Sequence, residues 1–145
     1  MASRRKGRIL ALQALYCWDA AGVSVGDVVD FSWLESEKRA ALDKGIADFS
    51  RLLIIGTIEN IKTVDAMIQS HVQNWDFSRL NRVDLAILRI STYTLMYQDE
   101  IAPSIVINEA IGISQEYGTG NSYRFINGVL DSIRKAIHKD LPHGA

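Results

Sequence analysis

Arg4, Arg5, Lys6 and Arg8 place four cationic side chains within one short stretch, and no acid interrupts the first eight residues. The rest of the chain has the opposite sign. Overall there are 16 Lys and Arg against 17 Asp and Glu; setting these four aside leaves 12 against 17, a net of −5. A concentrated positive patch on an acidic body attracts phosphate, and nucleic-acid binding through it is salt-sensitive. The plain structural alternative is a solvated helix start. Arg5 and Arg8 fall about one helical turn apart, a spacing from which they can straddle a phosphate backbone.

Catalytic chemistry finds little to hold. His71, His138 and His143 are not spaced as a helical pair of metal ligands, and no His-Glu-x-x-His occurs. Cys17, between Tyr16 and Trp18 in an apolar stretch, reads as a buried inert thiol; as a lone cysteine it excludes an internal disulfide and a cysteine-rich zinc site. Gly118-Thr119-Gly120 lacks the third glycine and preceding strand of a dinucleotide loop and reads as a helix-to-helix turn. No Walker-type phosphate loop is present, and no carboxylate pair sits in an apolar setting suited to acid–base work. The reading is a non-enzyme without cofactor or metal.

The elements that must carry the patch are helices. The chain of 145 residues is 48% hydrophobic and 23% charged, with two prolines; that is enough for one core, or two small subdomains sharing one. No apolar run reaches the ~18 residues of a membrane span, and no small-residue cleavage site follows the basic start, so the expected address is the cytoplasm. The pattern predicts a helix over 4–20, with Ser3 as N-cap, largely enclosed beyond its basic first turn. A short helix or loop follows over 21–35. Helix resumes over 36–73, with Ile54, Ile58, Ile61, Ile68 and Val72 on one stripe and Gly45 and Gly56 as candidate breaks. A connection at 74–81 ends with Ser78 or Asn81 as cap.

The stretch 82–97 is apolar almost all round, the mark of a central helix, and its Arg89, if buried, needs a carboxylate or carbonyl partner. Pro103 opens an amphipathic helix that stops at Gly118. A last helix, capped by Asn121 or Ser122, buries Tyr123, Ile126, Val129, Leu130, Ile133 and Ile137. The expected architecture is all-α, an N-terminal helical subdomain over about 1–75 and a C-terminal one over about 76–140.

Three segments, in order and spacing, resemble the NusB family. The first is Arg4-Arg5-Lys6-Gly7-Arg8 with Ala11-Leu12-Gln13-Ala14-Leu15-Tyr16-Cys17-Trp18. The second is Val83-Asp84-Leu85-Ala86-Ile87-Leu88-Arg89-Ile90, leading to Tyr93 and Leu95. The third runs from Pro103 through Val106-Ile107-Asn108-Glu109-Ala110-Ile111 to Tyr117-Gly118, then Ser122 and Phe125-Ile126-Asn127-Gly128-Val129-Leu130-Asp131. The resemblance spans nearly the whole chain and is weakest over 20–75. It implies about seven helices in two subdomains, binding to the single-stranded boxA element of nascent RNA, and partnership with the small-subunit ribosomal protein NusE. It also implies other Nus factors and RNA polymerase as indirect partners, no membrane, and either a monomer or a homodimer. Gly7 stands where the family usually has alanine, which loosens the first turn, and Thr94 stands where a glutamate often follows the tyrosine.

Single-stranded RNA needs flat surfaces for its bases as well as cations. Tyr16 fits a stacking platform and a packed core tyrosine equally; Phe125, at the rim of its helix beside Arg124, suits a stacked base; Tyr123 reads as core. Asn121 and Ser122 offer backbone donors at a helix start, or an ordinary cap. Gln13 suits a base edge or a solvent-facing role. Asn108, Glu109, Asn127 and Gly128 read as structural, as caps, close packing or partners for Arg89, and Asp84 as a contact for a basic partner protein. Two alternatives stand beside RNA binding: a helical protein–protein adaptor, and the RNA-delivery domain of a ribosomal-RNA methyltransferase.

Overall fold

The computed structural model describes residues 4–138, all-helical among them. In chain order they form α1 (Arg4–Ala20), α2 (Val25–Asp30), α3 (Ser36–Ala40), α4 (Lys44–Glu59), α5 (Ile61–Ser70), a 3-10 turn (Phe77–Arg79), α6 (Arg82–Tyr97), α7 (Pro103–Tyr117) and α8 (Ser122–Ile137). Ser3 and His143 lie outside the described residues.

Local chemistry sets most of these boundaries. The Asn81 side chain accepts from the N–H groups of Val83 and Asp84 at 2.9 and 3.1 Å and starts α6. Asp43 does the same for α4 through Ile46 N–H at 3.0 Å, and Pro103 occupies the first turn of α7. Neither Gly45 nor Gly56 breaks its helix; both lie inside α4, and the break falls at Asn60. Gly56 is there for packing, since an added Cβ would sit 2.2 Å from the Tyr93 ring of α6. α2 ends at Phe31, whose φ of 58° is left-handed. An aromatic pays strain there, offset by burying the ring (1% exposed) under the Arg51 guanidinium, 4.9 Å from its centroid.

α6 is the axis. Eleven of its residues are buried, because α1, α4, α5, α7 and α8 all pack against it. The buried apolar side chains form one cluster, from Leu10 and Leu15 of α1 to Ile126 and Leu130 of α8. α1 is clasped between α4, α6 and α7, and this fixes where its basic first turn can point.

Candidate nucleic-acid interface

The first turn of α1 is built into the fold. Arg5 Nε donates to Glu109 Oε2 on α7 at 2.7 Å, Arg5 Nη2 donates to the same oxygen, and Arg8 Nη1 donates to Oε1 at 3.2 Å. Arg5 lies across α7 at Gly112, where any Cβ would fall 2.6 Å from its guanidinium. Arg4 stacks on the Phe49 ring of α4, 4.4 Å from the centroid, with Arg8 at 5.5 Å. Arg5 and Arg8 therefore converge on one carboxylate instead of straddling an open gap. Glu109, expected among the partners of Arg89, belongs to this cluster; Arg89 is held by Asp65 and Asp19.

The four cations differ in availability. Arg4 and Lys6 are exposed, the Arg5 side chain is 41% exposed, and that of Arg8 only 11%. Burial pulls Arg8 below the usual guanidinium range; Glu109 opposes this, while the like charges of Arg4 and Arg5 add to it. Arg4, Arg5 and Lys6 can meet a phosphate directly, whereas Arg8 anchors the cluster.

Gly7 explains itself here. It is buried, and an added Cβ would lie 2.4 Å from Phe49 Cδ2. The glycine read from sequence as loosening the turn is the seat of the ring that Arg4 stacks on. Gly7→Ala is expected to cost about 1–3 kcal/mol in a urea titration, because overpacking exceeds the gain of up to about 1 kcal/mol in helix propensity. A stability gain would mean that Phe49 swings away freely.

Two turns along α1, Gln13 and Tyr16 line an open groove of about 500 Å³ with Trp33, Leu34 and Lys38, Val83 of α6 and Tyr117 of α7. Tyr16 is 42% exposed and Tyr117 40%, so Tyr16 presents a ring to solvent rather than packing in the core. Cys17 is half-buried at the same groove, and burial pushes its thiol above its ordinary range.

At the start of α8, Arg124 is exposed and folds back over Tyr123, its Nε donating to the phenol oxygen at 2.9 Å. Tyr123, expected in the core, is half-buried. Phe125 packs edge-on against Trp75, ring centroids 5.1 Å apart, and Trp75 is 60% exposed. Sequence reasoning missed Trp75; an aromatic standing in the polar run Gln73-Asn74-Trp75-Asp76 was the available signal.

Three expected contacts are placed differently. Ser122 is 2% exposed, and its hydroxyl accepts from Thr119 N–H at 2.9 Å. The N–H groups of Ser122, Arg124 and Phe125 already donate to Thr119 and Asn121 carbonyls, so few of the donors expected for a phosphate remain. Asn121 is exposed, and its side chain makes no cap bond. Asp84, expected on an accessible side of α6, is 7% exposed and faces Ser122, because α8 starts directly against it.

Burial pushes the Asp84 carboxyl above its ordinary value of 3.8, against the Ser122 hydrogen bond. The folded state therefore holds this proton more tightly than the unfolded chain, and Asp84 contributes less stability as pH rises through its folded value. Wild type is expected to gain stability relative to Asp84→Asn as pH falls from neutral, the difference levelling off near and below 3.8. Parallel unfolding curves for the two proteins at every pH would contradict the burial.

The chain is similar to known proteins over nearly its whole length. The NusB family model matches residues 5–135. The transcription antitermination protein NusB of Treponema pallidum (strain Nichols) is 48% identical over 92% of this chain and 93% of its own length. The crystal structure of T. maritima NusB superposes with a TM-score of 0.81 at 32% identity, covering 92% of each chain. A crystal structure of the antitermination factors NusB and NusE in complex with double-stranded RNA gives 0.80 at 26% identity, covering 92% of this chain and 96% of that one.

Proposed function

The chain belongs to the NusB family, and on that premise we propose that it is an RNA-binding transcription antitermination factor working in the cytoplasm. It grips a boxA-type single-stranded element of the nascent transcript together with the ribosomal protein NusE. The observation that carries this reading is the cationic first turn of α1, held by Glu109 and Phe49 on an otherwise acidic body. Arg4, Arg5 and Lys6 supply phosphate contacts. Tyr16, and Phe125 backed by Trp75, supply ring faces for unstacked bases, with Gln13 and Arg124 beside them as polar contacts. Joined to NusE, the other Nus factors and RNA polymerase, the bound protein suppresses termination, above all in ribosomal-RNA operons. The chemistry asked of these side chains is binding alone, with no cofactor.

The test is a fluorescence-anisotropy titration with a boxA oligoribonucleotide and a scrambled one, with and without NusE, over a salt series. Preference for boxA, strengthened by NusE and weakened by salt, is expected. Weak binding indifferent to sequence would favour the protein–protein adaptor.

A further inference from the structure

Gly128 reads from sequence as a close-packing glycine, yet the structure gives it nothing to pack on. It is exposed in the middle of α8, and an added Cβ would meet no atom within 4 Å. At Gly7, Gly56, Gly112 and Gly118 the same atom would fall 2.4, 2.2, 2.6 and 2.6 Å from a neighbour. A glycine inside a helix is less stable than alanine there, and no turn, positive φ or close contact accounts for this one. It leaves a bare stretch of helix backbone open to solvent.

The groups around that stretch are aromatic on one side and cationic on the other. Phe125 precedes Gly128 by one turn and Ser132 follows it by one turn, on the same face. Both are met by the segment that leaves α5. His71 Nδ1 lies 2.6 Å from Ser132 Oγ, and the Trp75 ring stands 5.1 Å from that of Phe125, inclined at 62°. Val72 between them is buried. Residues 71–75 therefore run beside α8 for two turns, about 10.5 Å, and form a wall. The two rings meet as a corner, and Trp75, 60% exposed, keeps ring surface open to solvent. Along the other side stand Arg124, one turn before Gly128, and Lys135, two turns after it, both exposed. α8 carries Arg124, Arg134 and Lys135 against one acid, Asp131, which the last two share. It is a second cationic element on an otherwise acidic body.

We propose that Trp75, Phe125 and Gly128 form a subsite for one nucleotide of a single RNA strand. The base lies on the Trp75 ring with an edge against Phe125, and its ribose and phosphate cross the bare backbone at Gly128 between Arg124 and Lys135. An aromatic face accepts any base, the two cations suit the phosphate, and a missing side chain lets the strand approach the helix closely. A hydrophobic protein partner would find two rings here and no aliphatic surface, since Asn121, Asn127, Ser132 and Lys135 make the rest of the exposed strip polar. The subsite rests on the RNA-binding reading above and extends the contact surface from α1 along α8.

Urea titration and RNA anisotropy on the same variants test it. Gly128→Leu puts a side chain into open space on a helix, so its urea midpoint is expected to hold or rise. Its affinity for a boxA oligoribonucleotide is expected to fall about 5-fold or more, and that of Trp75→Ala about 5- to 100-fold, as one stacked base is lost. Because both changes act on one nucleotide, the double variant should bind about as weakly as the weaker single one, whereas Arg4→Gln should add in full to either. Should leucine disturb the fold, Gly128→Ala carries the same cycle. Wild-type affinity in Gly128→Leu, or losses that add with Trp75→Ala, overturns the subsite. So does a Gly128→Leu protein that keeps the RNA and loses NusE, which would make this face a protein-docking surface. Failure of wild type to bind the RNA is a separate result: it overturns the binding reading itself, and the subsite with it.

Discussion

Replacing Arg4, Arg5 and Lys6 together by glutamine is expected to weaken boxA RNA binding about 50-fold at roughly 0.15 M salt and to flatten the salt slope by about two units, at about 0.7 unit per phosphate contact on a single strand. These three are chosen because their charges reach solvent, while the Arg8 side chain is 11% exposed and committed to Glu109. The substitutions leave the core under α1 intact: Leu10, Ala11, Leu12, Ala14 and Leu15 are all 6% exposed or less. The lost ion pair between Arg5 and Glu109 is partly exposed on both sides, so its effect on stability is modest, about 1 kcal/mol or less. The measurement is anisotropy across a salt series, with thermal unfolding as control. An unchanged slope would mean that these cations do not meet phosphate, and the proposed function would lose its main support.

Asp65→Ala is expected to be the most damaging single change to stability, costing about 3 kcal/mol. Arg89 is 6% exposed at the centre of the bundle, and its Nε and Nη2 donate to the two Asp65 carboxylate oxygens, each at 2.9 Å. Asp19 stands 3.5 Å from Nη1 and also holds Arg82 at 3.4 Å, and the Trp18 ring lies 5.8 Å from the guanidinium carbon. Removing Asp65 leaves a buried guanidinium with one distant, shared acid. Adding Arg89→Met should recover much of the loss, because the penalty comes from the unpaired charge. Urea titrations of the single and double variants check this: the midpoint should fall and then recover, with the slope unchanged. A double variant as unstable as the sum of its parts would show that packing, not charge, dominates.

How much of this was legible in advance divides by distance along the chain. The helical class, the central place of 82–97, a cap at Ser78 or Asn81 and the Pro103 start rest on signals within three or four residues of each other. A helix repeats its face and closes its ends on that scale, so the sequence alone determined them, as it did the cationic turn and the need of Arg89 for a partner. The identity of partners lay beyond that reach. Glu109 stands 104 residues from Arg5 and 101 from Arg8, and Asp65 stands 24 from Arg89. Gly7 looked like a flaw until Phe49 filled its place. Asp84 and Ser122 looked accessible because each occupies a polar position on its own helix, and they are buried because the start of α8 packs on the start of α6. Which polar groups face water is settled only when helices distant in the chain meet, since burial and charge pairing depend on what lies across the interface and not on what comes next in sequence.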